Sequence, residues 1–318
     1  MRLVMMGTGG FAVPTFRALL GSRHQVVALV TQPPRAEAGR LPPSNTMREV
    51  AHQHAVPVLM FEDINTNAAR DALQRLSPDL FVVADYGQIL SPETLAVARQ
   101  GGINLHGSLL PKYRGAAPIN WALYHGEQET GVTTIHITPH VDAGPCLMQA
   151  KTAIAPDENA VELEHRLAEL GAPLVIETID RIEAGRLEGI PQDPSLATQA
   201  RRLKKADGRI DWSRSAEQIR NQVRAMVPWP KSYTFWKRAG QPPLRLILEE
   251  VAVVEEPVQP AAAPGTVVEA KNNTLVVATG GGRLSIKRLQ PAGKRSLAVA
   301  EFLRGYPVAV GDTLGPDE

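Results

Sequence analysis

The chain has 318 residues, of which 43% are hydrophobic and 21% charged, with a net charge of +1 and a single cysteine, Cys146. That composition is ordinary for a folded globular protein, and one thiol excludes an intramolecular disulfide and any multi-cysteine zinc or iron–sulfur site. No apolar run approaches the roughly 20 residues of a membrane span, and glycines interrupt the N-terminus where a signal peptide would be continuous, so a cytoplasmic chain with no membrane partner is expected.

The charge is unevenly spread. Residues 1–200 carry 15 Lys and Arg against 21 Asp and Glu, net −6, whereas residues 201–318 carry 19 against 12, net +7. The length exceeds one ordinary core, so two domains are expected, the basic one with a polyanion as partner.

In chain order, an apolar strand over Arg2–Met6 runs into Gly7-Thr8-Gly9-Gly10 and then a helical pattern to Leu20, the opening of a doubly wound sheet. Gly7, Gly9 and Ala12 formally satisfy G-x-G-x-x-A, but the next strand, Gln25–Val30, ends in Thr31-Gln32-Pro33-Pro34 with no carboxylate for a ribose, which argues against a nicotinamide cofactor. A polar, proline-rich loop, Arg35–Pro43, precedes a helix capped by Ser44 and continuing to His54. A helix over Asn67–Leu76 and a strand over Leu80–Ala84 follow, leading to Asp85-Tyr86-Gly87-Gln88-Ile89-Leu90.

The informative stretch is Gly102-Ile103-Asn104-Leu105-His106-Gly107-Ser108-Leu109-Leu110-Pro111. On a strand the period of two turns Asn104 and His106 to one face, where a carboxamide N–H and an imidazolium can hydrogen-bond an oxygen gaining negative charge. Asp142 ends a later strand-like run and is expected to orient His106, raise its pKa and order a proton-carrying water. This scheme for acyl-type transfer requires neither metal nor covalent intermediate. Ser108 has no Gly-x-Ser-x-Gly elbow and reads as structural. His136 and His140 lie on a strand and its exit, where i, i+4 spacing does not converge as it does on a helix, so no metal site is expected.

From Asn159 to Ala184 the apolar spacing predicts a long amphipathic helix, and the aperiodic residues after it a linker. Beyond Lys204 come a helix over Ala216–Met226 and short alternating segments at Ser232–Trp236, Leu244–Leu248, Gly265–Glu269, Thr274–Thr279 and Leu284–Leu289, as in a small OB-like barrel.

Asn104 and His106, the Ser108–Pro111 run, Arg114-Gly115-Ala116-Ala117-Pro118-Ile119 and Asp142 together resemble the folate-dependent formyltransferases. The second half resembles that family's C-terminal domain through Arg209-Ile210-Asp211-Trp212, Pro228-Trp229-Pro230 and Leu289-Gln290-Pro291-Ala292-Gly293-Lys294. The resemblance implies an α/β chain: a Rossmann-like formyltransferase domain over residues 1–187, a linker over 188–203 and a basic OB-like β-barrel tRNA-binding domain over 204–318. It implies that Asn104, His106 and Asp142 carry formyl transfer from 10-formyltetrahydrofolate to the α-amino group of initiator methionyl-tRNA. An amino sugar or another small amine is the alternative acceptor. Tyr86, Gly87, Ile89 and Leu90 would border the pterin, with Ser108, Leu109, Leu110 and Pro111 closing over the folate. Arg35, Arg40, Lys112, Arg114, Lys204, Lys205, Arg209, Lys287, Arg288 and Lys294 would meet the tRNA, and a monomer is expected. The chain departs from the family pattern at four places. Gly9-Gly10 replace Pro-Asp, Asp85 replaces an alanine, Pro145 stands where an aspartate is frequent, and the Arg35–Pro43 loop is shortened.

Overall fold

A computed structural model describes residues 1–34, 45–238, 240–254 and 262–316. The first part runs β1 (Arg2–Met6), α1 (Ala12–Leu20), β2 (Gln25–Thr31), α2 (Thr46–Gln53), β3 (Val58–Met60), α3 (Asn67–Arg75), β4 (Leu80–Val83), α4 (Pro92–Leu95), β5 (Gly102–His106), α5 (Pro118–His125), β6 (Glu129–His136), β7 (Cys146–Ala153) and α6 (Ala160–Glu183). Seven strands form one sheet in the order β3-β2-β1-β4-β5-β6-β7. Strands β3 to β5 are parallel, while β6 and β7 are antiparallel additions at one edge.

The near-continuous apolar strands β1, β2 and β4 are what a sheet covered on both faces requires. On one face Val4, Met6, Phe81 and Val83 form a cluster with Ala69 and Leu73 of α3. On the other, a Cβ added to Gly171 of α6 would lie 2.5 Å from the Leu105 side chain, so the helix rides close on β5. Short polar residues start the helices: Thr66 accepts the Ala69 N–H and Asn45 the Arg48 N–H. The expected Ser44 cap falls outside the described residues, and the helix begins at Thr46 behind Asn45 instead.

The remaining elements are α7 (Ala216–Ala225), β8 (Ser232–Arg238), β9 (Gln241–Val254), β10 (Val267–Lys271), β11 (Thr274–Ala278), β12 (Arg283–Pro291), β13 (Leu297–Ala298), α8 (Val299–Gly305) and β14 (Thr313–Gly315). They make an antiparallel sheet in the order β10-β11-β12-β9-β8-β14, with β13 on β12. Its two ends meet, because the Val267 N–H donates to the Asp312 carbonyl, the Leu314 N–H to the Gly265 carbonyl, and Thr266 bridges Thr313. The sheet therefore curls into an OB-like barrel around Trp236, Leu246, Val277, Ile286 and Leu289, with Phe302 of α8 and Ile219 of α7 completing the core. Curling removes the exposed edges an open sheet would leave.

Two compact units result, and neither is continuous in sequence. The first comprises Met1–Pro118, Glu129–Ile154 and Glu162–Arg201, and the second Ile119–Gln128, Ala155–Val161 and Arg202–Glu318. Most of α5 thus packs within the second unit, where the Asn120 amide donates to the Ala225 carbonyl at 2.7 Å and Arg214 Nη1 to the Tyr124 hydroxyl at 2.6 Å. The 188–203 segment, expected as a linker, pairs into the first unit up to Arg201. Ile190 and Cys146 exchange backbone hydrogen bonds at 2.8 Å, and Arg114 pairs with Gln199.

Candidate active site

Strand β5 places Asn104 and His106 on one face at the carboxyl edge of the parallel strands, with Val83 of β4 opposite Asn104. His106 is buried. Its Nε2 lies 2.8 Å from the carbonyl of Tyr113, an acceptor only, so Nε2 carries a proton and Nδ1 is the atom turned toward Asp142. The His106 Nδ1 to Asp142 Oδ2 distance is 3.5 Å, and Asn104 Nδ2 donates to Asp142 Oδ1 at 3.4 Å. A carboxylate thus stands between the carboxamide and the imidazole.

Three residues with positive φ, on two segments, build this arrangement. Tyr113, at φ +63°, aims its carbonyl at the imidazole, and Asp142, at φ +51°, swings its carboxylate inward. Gly115, at φ +122°, donates its N–H to Asp142 Oδ2 at 2.9 Å. A Cβ on Gly115 would lie 2.6 Å from the carbonyl oxygen of Ala200, so both its conformation and its surroundings require glycine. Positive φ in non-glycine residues costs about 1–3 kcal/mol each, and its clustering here is the usual signature of a functional site.

Sequence reasoning did not find the supports of this site. Gln192, read as linker, donates from Nε2 to the carbonyls of Asp142 and Gly144 at 2.8 and 2.7 Å, and its Oε1 accepts from Arg114 Nε and Nη2 at 2.9 and 2.7 Å. Thr198 accepts the Tyr113 N–H on its hydroxyl at 2.8 Å. No local pattern announces these partners, which lie 50 and 85 positions from the groups they hold.

The other expected site residues divide by exposure. Gly87 and Ile89 are open to solvent, Leu109 and Pro111 are half-buried, and Leu90 and Leu110 are buried. Tyr86 turns its ring into the core instead of lining the cleft. The residue is 1% exposed and its hydroxyl has no partner among the described residues, while its carbonyl accepts the Gln32 side-chain amide at 2.8 Å. Burial, with the charge of Asp63 second, pushes the Tyr86 phenol up to about 12. Ser108 is fully buried and donates to the Lys112 carbonyl at 2.7 Å.

Among the cations, Arg114 is committed to Gln192, and Arg288 to Glu250 at 3.2 Å. Lys112, Lys204, Lys205, Arg209, Lys287 and Lys294 are exposed. Arg35 and Arg40 lie outside the described residues.

Residues 1–179 match the sequence model of the formyl transferase family, and residues 202–307 match that of the formyl transferase C-terminal domain. The chain belongs to the formyltransferase family. A methionyl-tRNA formyltransferase of Geobacter sulfurreducens is 41% identical over 317 residues, covering 99% of this chain and 97% of that protein. One of Citrifermentans bemidjiense is 42% identical over 322 residues, covering 99% and 96%. Among solved structures, the sugar 3N-formyl transferase WlaRD shares the fold with a TM-score of 0.67 at 16% identity, over 93% of this chain and 99% of that one. No helix among the described residues is long and apolar enough to cross a membrane.

Proposed function

We propose that this formyltransferase moves the formyl group of 10-formyltetrahydrofolate to the α-amino group of initiator methionyl-tRNA, giving N-formylmethionyl-tRNA for translation initiation in the cytoplasm. The observation that carries it is 41–42% identity to methionyl-tRNA formyltransferases along 99% of the chain, against 16% to a sugar formyltransferase of the same fold.

The acceptor amine attacks the formyl carbon and a C–N bond forms as the carbonyl pair moves onto oxygen. The second N–H of the Asn104 carboxamide, the one not spent on Asp142, donates to that oxygen. His106 donates from Nδ1, which requires the doubly protonated ring because the Tyr113 carbonyl already takes the Nε2 proton. At 3.5 Å from Asp142 the Nδ1–H is not held by a tight hydrogen bond and is available to share. The newly bonded amine nitrogen gives up a proton that Asp142 relays to the folate nitrogen, and as the pair on oxygen re-forms the carbonyl the bond to that folate nitrogen breaks. Gly87, Ile89, Leu109 and Pro111 offer accessible surface to the folate, and the exposed lysines and Arg209 of the second unit offer a backbone-tracking contact to tRNA whose affinity falls with salt.

Single-turnover formylation tests this. Enzyme and 10-formyltetrahydrofolate are mixed with charged initiator tRNA, charged elongator methionine tRNA or an amino-sugar nucleotide. Rapid product from initiator tRNA, with turnover reduced about 100-fold or more in Asp142→Asn and tRNA affinity retained, is expected. Product from the sugar alone would overturn the acceptor.

A further inference from the structure

Strands β1 and β4 are neighbours at the middle of the sheet, yet the chain proceeds from β1 toward β2 and β3 on one flank and from β4 toward β5, β6 and β7 on the other. Such a reversal opens a crevice at the carboxyl ends of the two strands, where open α/β sheets hold their ligands. The Gly7–Gly10 turn forms one lip and Asp85, two residues past β4, the other. Thr8 and Gly9 give their N–H groups to the Asp85 carbonyl at 3.0 and 3.4 Å, which ties the lips together.

Asp85 has φ +44°, and its side chain turns over Gly9. A Cβ at position 9 would lie 1.7 Å from an Asp85 carboxylate oxygen, so the missing side chain at Gly9 is what admits the carboxylate. Asp85 is exposed as a residue while its carboxyl is crowded enough to be desolvated, and it has no hydrogen bond or ion pair among the described residues. Among the described residues, no charge compensates it, and desolvation is what acts on its carboxyl. The glycine turn carries none, and α6 contributes Glu164, whose own carboxyl is pushed up by burial and then by the charge of Asp85. On β5, the strand beside β4, stand His106 and, through it, Asp142. An unpaired carboxylate at the switch point, next to the strand that carries the reacting groups, is a seat for a cation.

We infer that Asp85 binds the protonated amine of the acceptor and takes its proton before attack. This rests on the reading of the chain as an amine formyltransferase. An ammonium N–H bond breaks, its electron pair stays on nitrogen as the nucleophile, and the proton passes to a carboxylate oxygen of Asp85. Desolvation pushes the Asp85 carboxyl up to about 6. That brings it nearer to an α-amino group, at roughly 7.7–8.0, than an ordinary carboxylate would be.

The test uses the full chain with Asp85→Asn, Gly9→Ala, Asp85→Ala and the Gly9→Ala/Asp85→Ala double variant, charged initiator tRNA as acceptor, and folate binding measured separately. Asp85→Asn is expected to lower kcat/KM for the acceptor about 100-fold while folate affinity stays within about twofold. The fall in wild-type kcat/KM as pH drops through about 6, where Asp85 protonates, should vanish in this variant. Gly9→Ala should reproduce the loss by displacing the carboxylate, yet add less than about twofold on the Asp85→Ala background. A raised carboxyl pKa penalises the folded state above that pKa, so Asp85→Asn should melt no lower than wild type at pH 8, which separates lost binding from lost folding. Unchanged kcat/KM with an unchanged acid limb would overturn the inference, as would an equal loss of folate affinity. If wild-type enzyme formylates only a different amine, the tRNA reading fails, and the same variants decide the role of Asp85 with that amine.

Discussion

Two histidine–aspartate pairs stand at opposite ends of the same sheet. At the carboxyl edge, His106 Nδ1 and Asp142 are 3.5 Å apart, with the aspartate side chain 13% exposed. At the amino edge, His24 Nε2 and Asp180 are 3.1 Å apart, with the aspartate 41% exposed. By distance alone the second pair is the better one. What separates them is what their other atoms do. The amino-edge group is closed: His24 Nδ1 meets the N-terminal amine at 3.1 Å, that amine also reaches Glu183, and Arg23 pairs with both Asp180 and Glu183. At the carboxyl edge, Nδ1 stands 3.5 Å from Asp142 without a tight hydrogen bond, the carboxamide keeps one N–H unspent among the described residues, and left-handed backbone at Tyr113 and Asp142 holds the geometry. A histidine–carboxylate contact is therefore chemistry only where its hydrogen-bonding capacity is left incomplete.

The largest expected effect tests that contrast directly. His106→Ala should reduce formyl transfer about 100- to 10,000-fold with the fold retained, whereas His24→Asn should alter it by less than about twofold. Matched single-turnover rates check this, and similar losses in both would break the distinction.

A smaller loss is expected at Gln192, which holds the loop of Asp142 without touching substrate. Gln192→Ala frees the Asp142 and Gly144 carbonyls and removes the acceptor for Arg114, and should lower kcat by about 100-fold with little change in KM for tRNA. Gln192→Glu keeps the acceptor and loses the donors, so it should not restore the rate. A rise in KM alone would show that Gln192 serves binding instead.

The smallest effects belong to the amino edge and concern stability. Desolvation first, then the N-terminal charge, holds the His24 pKa below 6.5, so the unfolded chain binds more protons there and stability should decline as pH falls below about 6.5. The Asp180 carboxyl is held low chiefly by its hydrogen bond from Arg23, and that of Glu183 by its hydrogen bond from the N-terminal amine. Their contribution is present above the ordinary carboxylate range and lost on acidification through it. Asp180→Asn should give a small loss in thermal midpoint near pH 7 that shrinks in salt, as for any exposed pair. A large, salt-independent loss would place more than a surface pairing at that edge.

The strands of the parallel core were legible because β1, β2 and β4 are short apolar runs between glycine and polar turns, a pattern set within a few residues. Helix α6 was legible from its apolar spacing. Strand β7 was not anticipated: Cys146–Ala153 lacks the β-branched run of β6, and its place is set by pairing with β6 along its length. Helix α5 was also missed, and the bonds of Asn120 and Tyr124 that fix it run to residues 90 or more positions away. In the site, Asn104 and His106 were readable as a pair because two residues on a strand share a face. Tyr86 was misplaced because its loop, unlike a strand, carries no alternation to say which way a side chain turns.

By itself, the order of residues determined what depends on short-range regularity: the alternation that aligns Asn104 with His106, the glycine turn after β1, the apolar stripe of α6, the strand-and-turn rhythm of the barrel and the basic second half. Tertiary structure decided which groups meet. It set Gln192 beneath Asp142, the Tyr113 carbonyl on His106, α5 in the second unit and the Asp85 carboxylate over Gly9. Those contacts join segments far apart in the chain, and burial of apolar faces over the whole sheet, acting without reference to any local pattern, is what brings them together.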